Sequence, residues 1–436
     1  MSSPQGIPIP QVFVLWHPQC RLGEKLAQRI LQWLRPGNGL GPEVFYRSLP
    51  APGAPANGLP LPLPGETRPT SAPSRTKDVS NLQIVLPLID ENMVADLAWR
   101  RWLEELTRSS AAARGTQTRD IRPVALDATA YNMPPALRQL NYLRPTGLPL
   151  PPGERMDGPA FEVVARSMLK QVTEALCRLL LPRPAPATAA GVLSSARDPL
   201  PKVNVFLSHA KQDGTVPARR LRDYIYSQTQ LAAFYDENDI AFGSAFEKVI
   251  EDGLGSANTA ALIAIRSARY ASRPWCRREF SSFRTPRREK EPDDGHQQWR
   301  IYPALIVEAM DGQELSSGIP EFGNSPAIRW TDDDPGIEEL IITTVIRDAM
   351  LASYHSALGA SIERKSDRIV INWLPDPTTL LHIPSVRSAA KSEVLYPGRG
   401  LSYLELKILS EFFPEEQVTF RCFEEYFTED YSIEPA

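Results

Sequence analysis

The sequence of 436 residues holds only four cysteines and five histidines, and both residue types are scattered. No two cysteines form a CxxC pair, and the five histidines are spread over the whole chain. This distribution argues against a disulfide framework and against a zinc site, and it fits a reducing compartment. We therefore expect a protein that works without a bound metal or a resident cofactor.

Long apolar runs and an excess of positive charge are also missing. No apolar run reaches the roughly 18 residues of a membrane-spanning helix. The first residues, MSSPQGIPIP, have neither the basic start nor the apolar segment of a secretory signal, so the cytoplasm is the expected location. The formal net charge of -4 gives no global positive field, so nucleic acid and membrane surfaces are not expected as partners.

Proline, in contrast, is abundant and concentrated in two segments. The block 49–78 is predicted to be an insertion, and the segment 182–201 is predicted to be a linker. Segments of this composition cannot bury enough apolar surface to offset their ordering entropy. The chain is therefore predicted to contain a domain at 1–181, a second domain at 202–358 and a smaller region at 363–436.

The same order of elements occurs on both sides of the linker. The matched stretches are 12–16 with 203–208, 44–47 with 233–236, 82–88 with 259–265, 121–126 with 301–306 and, more weakly, 142–144 with 328–330. Each half ends in an amphipathic helix, at 160–181 and at 336–358. Short apolar strands that alternate with helices predict a parallel sheet covered on both faces. Each half is therefore expected to be a flavodoxin-like, doubly wound α/β domain.

The region 363–436 is predicted to be a small α/β appendage. Strands are expected at 368–374, 393–396 and 418–423, and a helix at 402–413. Gly398-Arg399-Gly400 follows a predicted strand and opens a predicted helix, but the third glycine of a dinucleotide-binding fingerprint is missing. This motif is therefore a weak indication of a nucleotide site.

A Trp and a Glu one helical turn apart form the most informative pair in the second half. Trp275 and Glu279 follow a buried strand, and side chains four apart on a helix share a face. Ligands of open parallel sheets bind beyond the carboxyl ends of the strands. The pair is therefore a candidate site, although Glu279 also fits a surface carboxylate among nearby arginines.

Three motifs in order make the second half resemble the Toll/interleukin receptor (TIR) domain, particularly its bacterial members. They are VFLSHAKQD at 205–213, FYDENDIAFGSAFEKVIEDGL at 234–254 and SARYASRPWCRREF at 267–280. They are similar to the family's first strand and turn, to its second strand and BB loop, and to its SxxYxxSxWCxxE helix.

The first half resembles a degenerate, non-catalytic copy of the same domain. Its equivalent helix, predicted at 90–106, places Trp102 or Leu103 where Glu279 stands, depending on the register. Glu104 and Glu105 come next, so a shifted register would still present a carboxylate. Its equivalent of the BB loop is the proline-rich insertion. The fold class expected for the chain is therefore two tandem TIR-type α/β domains with a small C-terminal appendage.

The resemblance implies either an enzyme or an assembly module. Some TIR domains cleave NAD+ to nicotinamide and ADP-ribose or a cyclic isomer, and many bacterial members serve in antiphage defence or immune signalling. Others are non-enzymatic scaffolds for signal transduction. The implied partners are NAD+ as substrate, other TIR domains in a homo-oligomer, and a partner defence protein. A nucleoside or nucleotide transferase on a similar sheet is a third alternative.

The resemblance also assigns roles to individual residues. Glu279 is the implied catalytic residue. The implied NAD+ contacts are Ser208, Lys211, Phe246 and Trp275, and the implied BB-loop residues for assembly are Asp236, Asp239, Ile240 and Gly243. Structural roles remain open as well: core packing for the two aromatic residues, a solvated turn for the lysine, and turn or cap positions for the two aspartates.

Overall fold

The computed structural model describes residues 9–35, 41–46, 81–112, 118–151, 155–180, 203–235, 259–289, 297–309, 322–323, 325–363, 365–388 and 391–429. The chain divides into two compact units, Met1–Val172 and Thr173–Ala436. Within the described ranges, no helix has both the length and the apolar character needed to cross a membrane.

The first unit is built on a parallel sheet with strand order β2-β1-β3-β4, and β5 also pairs with β3. The strands are β1 (Ile9–Trp16), β2 (Glu43–Tyr46), β3 (Asn81–Ile89), β4 (Thr118–Ile121) and β5 (Val124–Ala125). The helices are α1 (Gly23–Leu34), α2 (Glu91–Ala95), α3 (Leu97–Ala112), α4 (Pro135–Arg138) and α5 (Pro159–Leu180), with a 3-10 helix at Ala128–Asn132. The two central strands are buried almost throughout, as expected for a parallel sheet covered on both faces.

The second unit contains a parallel sheet with strand order β12-β11-β8-β6-β7. Its strands are β6 (Asn204–His209), β7 (Ala232–Tyr235), β8 (Thr259–Arg266), β11 (Ala304–Glu308) and β12 (Ala327–Arg329). Its helices are α6 (Thr215–Gln228), α7 (Pro274–Arg284) and α8 (Ile337–Ala360). When the strands of each sheet are numbered in chain order, both sheets have the spatial order 2-1-3-4. In the second unit, β12 follows as the fifth strand. In the first unit, an isolated bridge between Val124 and Leu143 stands at the corresponding position. The predicted flavodoxin-like class is confirmed.

Two predicted strands and one predicted helix have different bounds from those expected. The stretch 121–126 is interrupted at Pro123, and the strand predicted at 301–306 begins only after Pro303, because proline has no N–H to donate to a strand ladder. The helix predicted at 90–106 is two helices, α2 and α3. The Asp96 backbone is extended between them, and its carboxylate accepts hydrogen bonds from the first amides of α3.

A third sheet combines the C-terminal strands with two strands from the middle of the second unit. Its order is β15-β14-β13-β10-β9. The strands are β9 (Arg287–Arg288), β10 (Gln297–Arg300), β13 (Arg368–Ile371), β14 (Ser392–Tyr396) and β15 (Val418–Cys422). The accompanying helices are α9 (Pro377–Leu380), α10 (Tyr403–Phe412) and α11 (Phe423–Glu429). In the chain, β9 and β10 lie between α7 and β11, which belong to the second sheet and its helices. The third sheet therefore begins within that segment, and the C-terminal strands β13, β14 and β15 complete it.

Helix α8 packs against both sheets of the second unit. It contacts α6 and the second-sheet strands β8 and β11, and it also contacts the third-sheet strands β10 and β13. The Gln298 side chain of β10 donates to the Ser356 carbonyl of α8 over 2.7 Å. A helix that is apolar on most sides is typical of the interior of a large unit. The third sheet is therefore joined to the second sheet through a shared core element.

Gly359 lies where α8 packs tightly against the third sheet. A Cβ at this position would lie 2.8 Å from Val370 Cγ1 and 3.5 Å from Gln298 Nε2. We predict that Gly359→Ala lowers the free energy of unfolding by roughly 1–3 kcal/mol, as overpacking of a filled core does. Gly400→Ala is the control, because its nearest neighbour would be Glu425 Oε1 at 3.7 Å. Urea denaturation measures both variants, and equal stabilities would contradict the shared packing.

The loop at Gly398 and Arg399 caps its own helix. Ser402 and Glu405 form a capping box at the start of α10, and the Glu405 carboxylate accepts hydrogen bonds from Arg399 over 2.6 and 2.8 Å. A bound pyrophosphate would need the helix N-terminus that this carboxylate already occupies. The glycines of this loop therefore serve a cap and not a dinucleotide site.

The same ion pair predicts a dependence of stability on pH. Hydrogen bonding to Arg399 lowers the pKa of Glu405 from 4.5 to about 2. The pKa of Glu405 is lower in the folded protein than in the unfolded protein. The ion pair therefore stabilises the fold at pH values above the unfolded-state pKa, and this stabilisation is lost as the pH falls from that value through about 2. Glu405→Gln should lower the free energy of unfolding by up to about 1 kcal/mol at pH 7, and the deficit should shrink steadily below pH ~5. Urea denaturation across this range measures it, and a deficit that stays constant would contradict the assignment.

Candidate functional site

The candidate site lies at the carboxyl edge of the second sheet, where β6 and β8 end and α7 begins. Pro274 occupies the first turn of α7, where its missing N–H costs no hydrogen bond. One face of the helix is buried in the core beneath the sheet edge. The side chains on this face are Cys276, Glu279, Phe280 and Phe283. The helix thus carries one carboxylate on an otherwise apolar face.

Hydroxyl groups hold that carboxylate in place. Ser208 Oγ, near the end of β6, donates to Glu279 Oε2 over 2.5 Å. The hydroxyl of Tyr270 lies 2.9 Å from Ser208 Oγ and donates to the Cys276 carbonyl over 3.1 Å. The exposed fractions of Ser208, Tyr270 and Glu279 are 1%, 0% and 5%. A short hydrogen bond to a carboxylate stabilises the anion, and the apolar surroundings strengthen it.

Tyr270 supplies a fixed proton to this network. Burial raises the pKa of Tyr270 well above 10, and Cys276 and Glu279 raise it further, although the hydrogen bond with Ser208 lowers it. The phenol therefore stays protonated throughout the physiological pH range and acts as a donor. That single proton is donated to the Cys276 carbonyl, and the Ser208 hydroxyl, which lies 2.9 Å from the phenol oxygen, donates its own proton to Glu279.

Asp213 joins the two turns that flank the network. Its Oδ1 accepts a hydrogen bond from Ser267 Oγ over 2.7 Å, and its Oδ2 accepts one from the Arg269 backbone N–H over 2.8 Å. Asp213 lies in the turn after β6, and its two partners lie directly after β8. The carboxylate thereby fixes the strand end that carries Ser208 against the loop that carries Tyr270.

The predicted substrate residues occupy different environments. Ser208, predicted to contact NAD+, is buried against Glu279. Lys211 is exposed in the turn after β6, and its carbonyl accepts a hydrogen bond from Thr215. Trp275 is 50% exposed at the start of α7, with the Arg278 guanidinium 5.7 Å from the centroid of its ring. The predicted residues Asp236, Asp239, Ile240, Gly243 and Phe246 lie outside the described residues.

Two residues of the network, Tyr270 and Asp213, were given no role by sequence reasoning. Both stand inside the motifs that carry the TIR resemblance, so the signal for their importance was present. Their functions depend on contacts across two loops that are more than fifty residues apart in the chain. Spacing along the sequence does not reveal such contacts.

The described residues contain no candidate metal cluster, and the four cysteines are buried. In the part of the chain that the structure describes, no group of three or more His, Cys, Asp or Glu side chains is arranged to hold a metal ion. Burial raises the pKa of Cys20 and of Cys177 to about 12, so both thiols stay protonated. Cys276 is buried, and its thiol donates to the His209 carbonyl over 3.5 Å.

The matching helix of the first unit carries no buried carboxylate. Its core residues Trp99, Leu103 and Leu106 repeat the spacing of Cys276, Phe280 and Phe283 in α7. This register places Trp102 at the position of Glu279. Glu104 and Glu105 instead form ion pairs with Arg108, whose side chain is exposed.

The strand register of the first unit also lacks the serine. Val14 pairs with Tyr46 as Leu207 pairs with Tyr235, so the next residue, Leu15, stands at the position of Ser208. Leu15 is buried in the core of its unit. In the first unit, Leu15 and Trp102 therefore stand at the positions of Ser208 and Glu279.

Comparison with known proteins adds one match. Residues 205–341 match the family model described as TIR domain. No curated protein matches the chain. The matched segment begins within β6 and ends within α8, so it includes Ser208, Tyr270 and Glu279. The chain therefore contains a TIR domain at 205–341.

Proposed function

We propose that this protein is an NAD+ glycohydrolase that converts NAD+ and water to nicotinamide, ADP-ribose and a proton, or forms a cyclic ADP-ribose isomer. The observation that carries the proposal is the buried carboxylate of Glu279, held by Ser208 at the carboxyl edge of a parallel sheet in a TIR domain. This edge is where ligands of such sheets bind.

The chemistry requires little more than a placed negative charge. As the bond between ribose and nicotinamide breaks, positive charge develops on the sugar, and a carboxylate beside the ribose stabilises it. Nicotinamide departs as a neutral molecule, so its departure needs no general acid. Water then attacks the anomeric carbon and loses a proton to solvent. Ser208 contributes by holding the carboxylate before the reaction begins, so that no reorganisation is needed.

The burial of Glu279 bears on how such an enzyme is switched on. With 5% of the residue exposed, the carboxylate is covered, and NAD+ needs the surrounding residues to move before it reaches the site. TIR domains associate with one another, and we expect the active form to be an assembly in which a neighbouring TIR domain opens or completes the site. Such control suits a protein of antiphage defence or immune signalling.

A non-enzymatic scaffold is the second candidate, and the exposure of Trp275 favours it. The indole ring stands half exposed at the start of α7 with Arg278 beside it. Tryptophan and arginine are the residue types that most often anchor protein interfaces. The same surface serves assembly whether or not catalysis follows.

Nicotinamide release at increasing protein concentration tests the proposal. The full chain is incubated with NAD+, and the products are quantified by liquid chromatography. We expect the activity per molecule to rise steeply with concentration, because assembly precedes turnover. If no nicotinamide is released even under conditions that drive assembly, the scaffold is favoured. Turnover of free nucleosides in place of NAD+ would favour a nucleoside transferase.

A further inference from the structure

We propose that Asp376 of the third sheet is a positioning residue for Glu279 and acts through Arg284, the last residue of α7. The pair joins the candidate catalytic helix to a part of the chain outside the matched TIR segment. The effect on turnover rests on the proposed NAD+ cleavage.

The pair is enclosed and is fixed from the third-sheet side. Arg284 Nη2 lies 3.7 Å from Asp376 Oδ2, and the two side chains are 20% and 16% exposed. Asp376 is also the N-cap of α9, where its Oδ1 accepts a hydrogen bond from the Thr379 backbone N–H over 3.0 Å. Burial lowers the pKa of Arg284 and Asp376 raises it, so the guanidinium depends on this carboxylate for compensation.

Helix α7 is held at both ends by different sheets. Near its start, Tyr270 donates to the Cys276 carbonyl and Ser208 donates to Glu279, which fixes it to the second sheet. At its end only Thr285 and Pro286 separate it from β9 of the third sheet. A connection of two residues allows little independent movement, so a displacement of the third sheet moves the helix that carries Glu279.

The third sheet is itself anchored beside this connection. Asn372, which follows β13, accepts a hydrogen bond from the Ile301 backbone N–H over 3.0 Å. Gln298 of β10 donates to α8, as described above. The C-terminal strands thus set the position of the segment that leaves α7, and the Arg284–Asp376 pair fixes the helix end to it.

Catalysis is sensitive to displacements of this kind. A reacting group has to be held within about 0.5 Å of its productive position, and a misplacement of about 1 Å costs up to roughly 100-fold in rate. Loss of the pair should therefore lower kcat and leave KM nearly unchanged, because Asp376 does not contact substrate.

Asp376→Asn separates the ion pair from the helix cap, because asparagine caps helices as well as aspartate does. The matched control is Glu405→Gln, which breaks an arginine–carboxylate pair at the start of α10, far along the chain from α7. We expect Asp376→Asn to lower kcat about tenfold and to speed amide hydrogen exchange in 274–284. The control should change neither quantity. Equal behaviour of the two variants in kcat and in exchange would overturn the proposal.

Substitutions at Arg284 provide the second test. Arg284→Lys keeps the charge beside Asp376, and Arg284→Gln removes it. We expect slow exchange of α7 in the lysine variant and fast exchange in the glutamine variant, and identical exchange in both would also overturn the proposal. Amide exchange is measured without NAD+, so it tests the link between Asp376 and α7 even when the wild-type protein is inactive. An inactive wild-type protein would count against the proposed NAD+ cleavage only.

Discussion

Glu279→Gln is expected to reduce nicotinamide release from NAD+ by about 100- to 1,000-fold, the usual cost of removing one preorganised charge stabiliser. The amide has nearly the shape of the carboxylate, and its oxygen still accepts the hydrogen bond from Ser208. What is lost is the negative charge that opposes the positive charge on the ribose. The fold should therefore survive, and kcat should fall at unchanged expression and melting temperature. Steady-state kinetics with chromatographic detection of nicotinamide measures the effect.

The first unit provides matched controls for this variant. Glu104→Gln and Glu105→Gln make the same chemical change on the corresponding helix, where the carboxylates pair with an exposed arginine. Both variants should cleave NAD+ at the wild-type rate. If Glu279→Gln also retains that rate, the assignment of the site is wrong.

Ser208→Ala is expected to give the second largest effect, a decrease in kcat of roughly 10- to 100-fold. The substitution removes a hydrogen bond to a charged group, worth about 1.5–3 kcal/mol. Ser208 is 1% exposed and its proton is directed to Glu279, so the loss falls on the position and the charge of the carboxylate. KM should change little, because a hydroxyl that acts through Glu279 makes no contact of its own with the substrate.

Whether Ser208→Ala changes kcat or KM distinguishes two roles for Ser208. The sequence resemblance predicts a direct contact with NAD+, which would raise KM when the hydroxyl is removed. In the structure the hydroxyl is buried and donates to the Glu279 carboxylate, and a role through this carboxylate would lower kcat instead. Ser272→Ala is the control, because this exposed hydroxyl in the neighbouring loop bonds only locally, to the Arg269 carbonyl. A raised KM at constant kcat in Ser208→Ala would contradict the positioning role.

Much of the fold could be predicted because parallel sheets have a clear sequence signature. Buried strands such as β1 and β8 are continuous apolar runs, and the helices that close the two halves begin and end near the expected residues. The prolines at 123 and 303 were visible in the sequence, yet each was placed inside a strand because the apolar run continues across it. The missing N–H outweighs the apolar pattern at both positions.

The third sheet shows where local pattern stops being informative. The strands β13, β14 and β15 were predicted from their apolar residues, but β9 and β10 were not. Both are rich in arginine and glutamine, and they become strands because they pair with β13 and with each other. Pairing between residues far apart in the chain has no local signal.

The candidate site could likewise be predicted only in part. Helical spacing placed Trp275 and Glu279 on one side of a helix, but the structure buries the carboxylate and leaves half of the indole exposed. The roles of Tyr270 and Asp213 follow from hydrogen bonds between loops, which spacing does not give. The sequence left Trp102 and Leu103 as alternatives for the position of Glu279 in the first half, and the spacing of the core residues favours Trp102.

A proton NMR time course of NAD+ with the full chain at high concentration, run beside Glu279→Gln, decides whether this TIR domain is an enzyme through Glu279. We predict that the nicotinamide ring signals of NAD+ are replaced by those of free nicotinamide in the wild-type sample and persist in the Glu279→Gln sample. NAD+ that stays intact with the wild-type protein under assembling conditions, or that disappears equally fast in both samples, would contradict the proposed site.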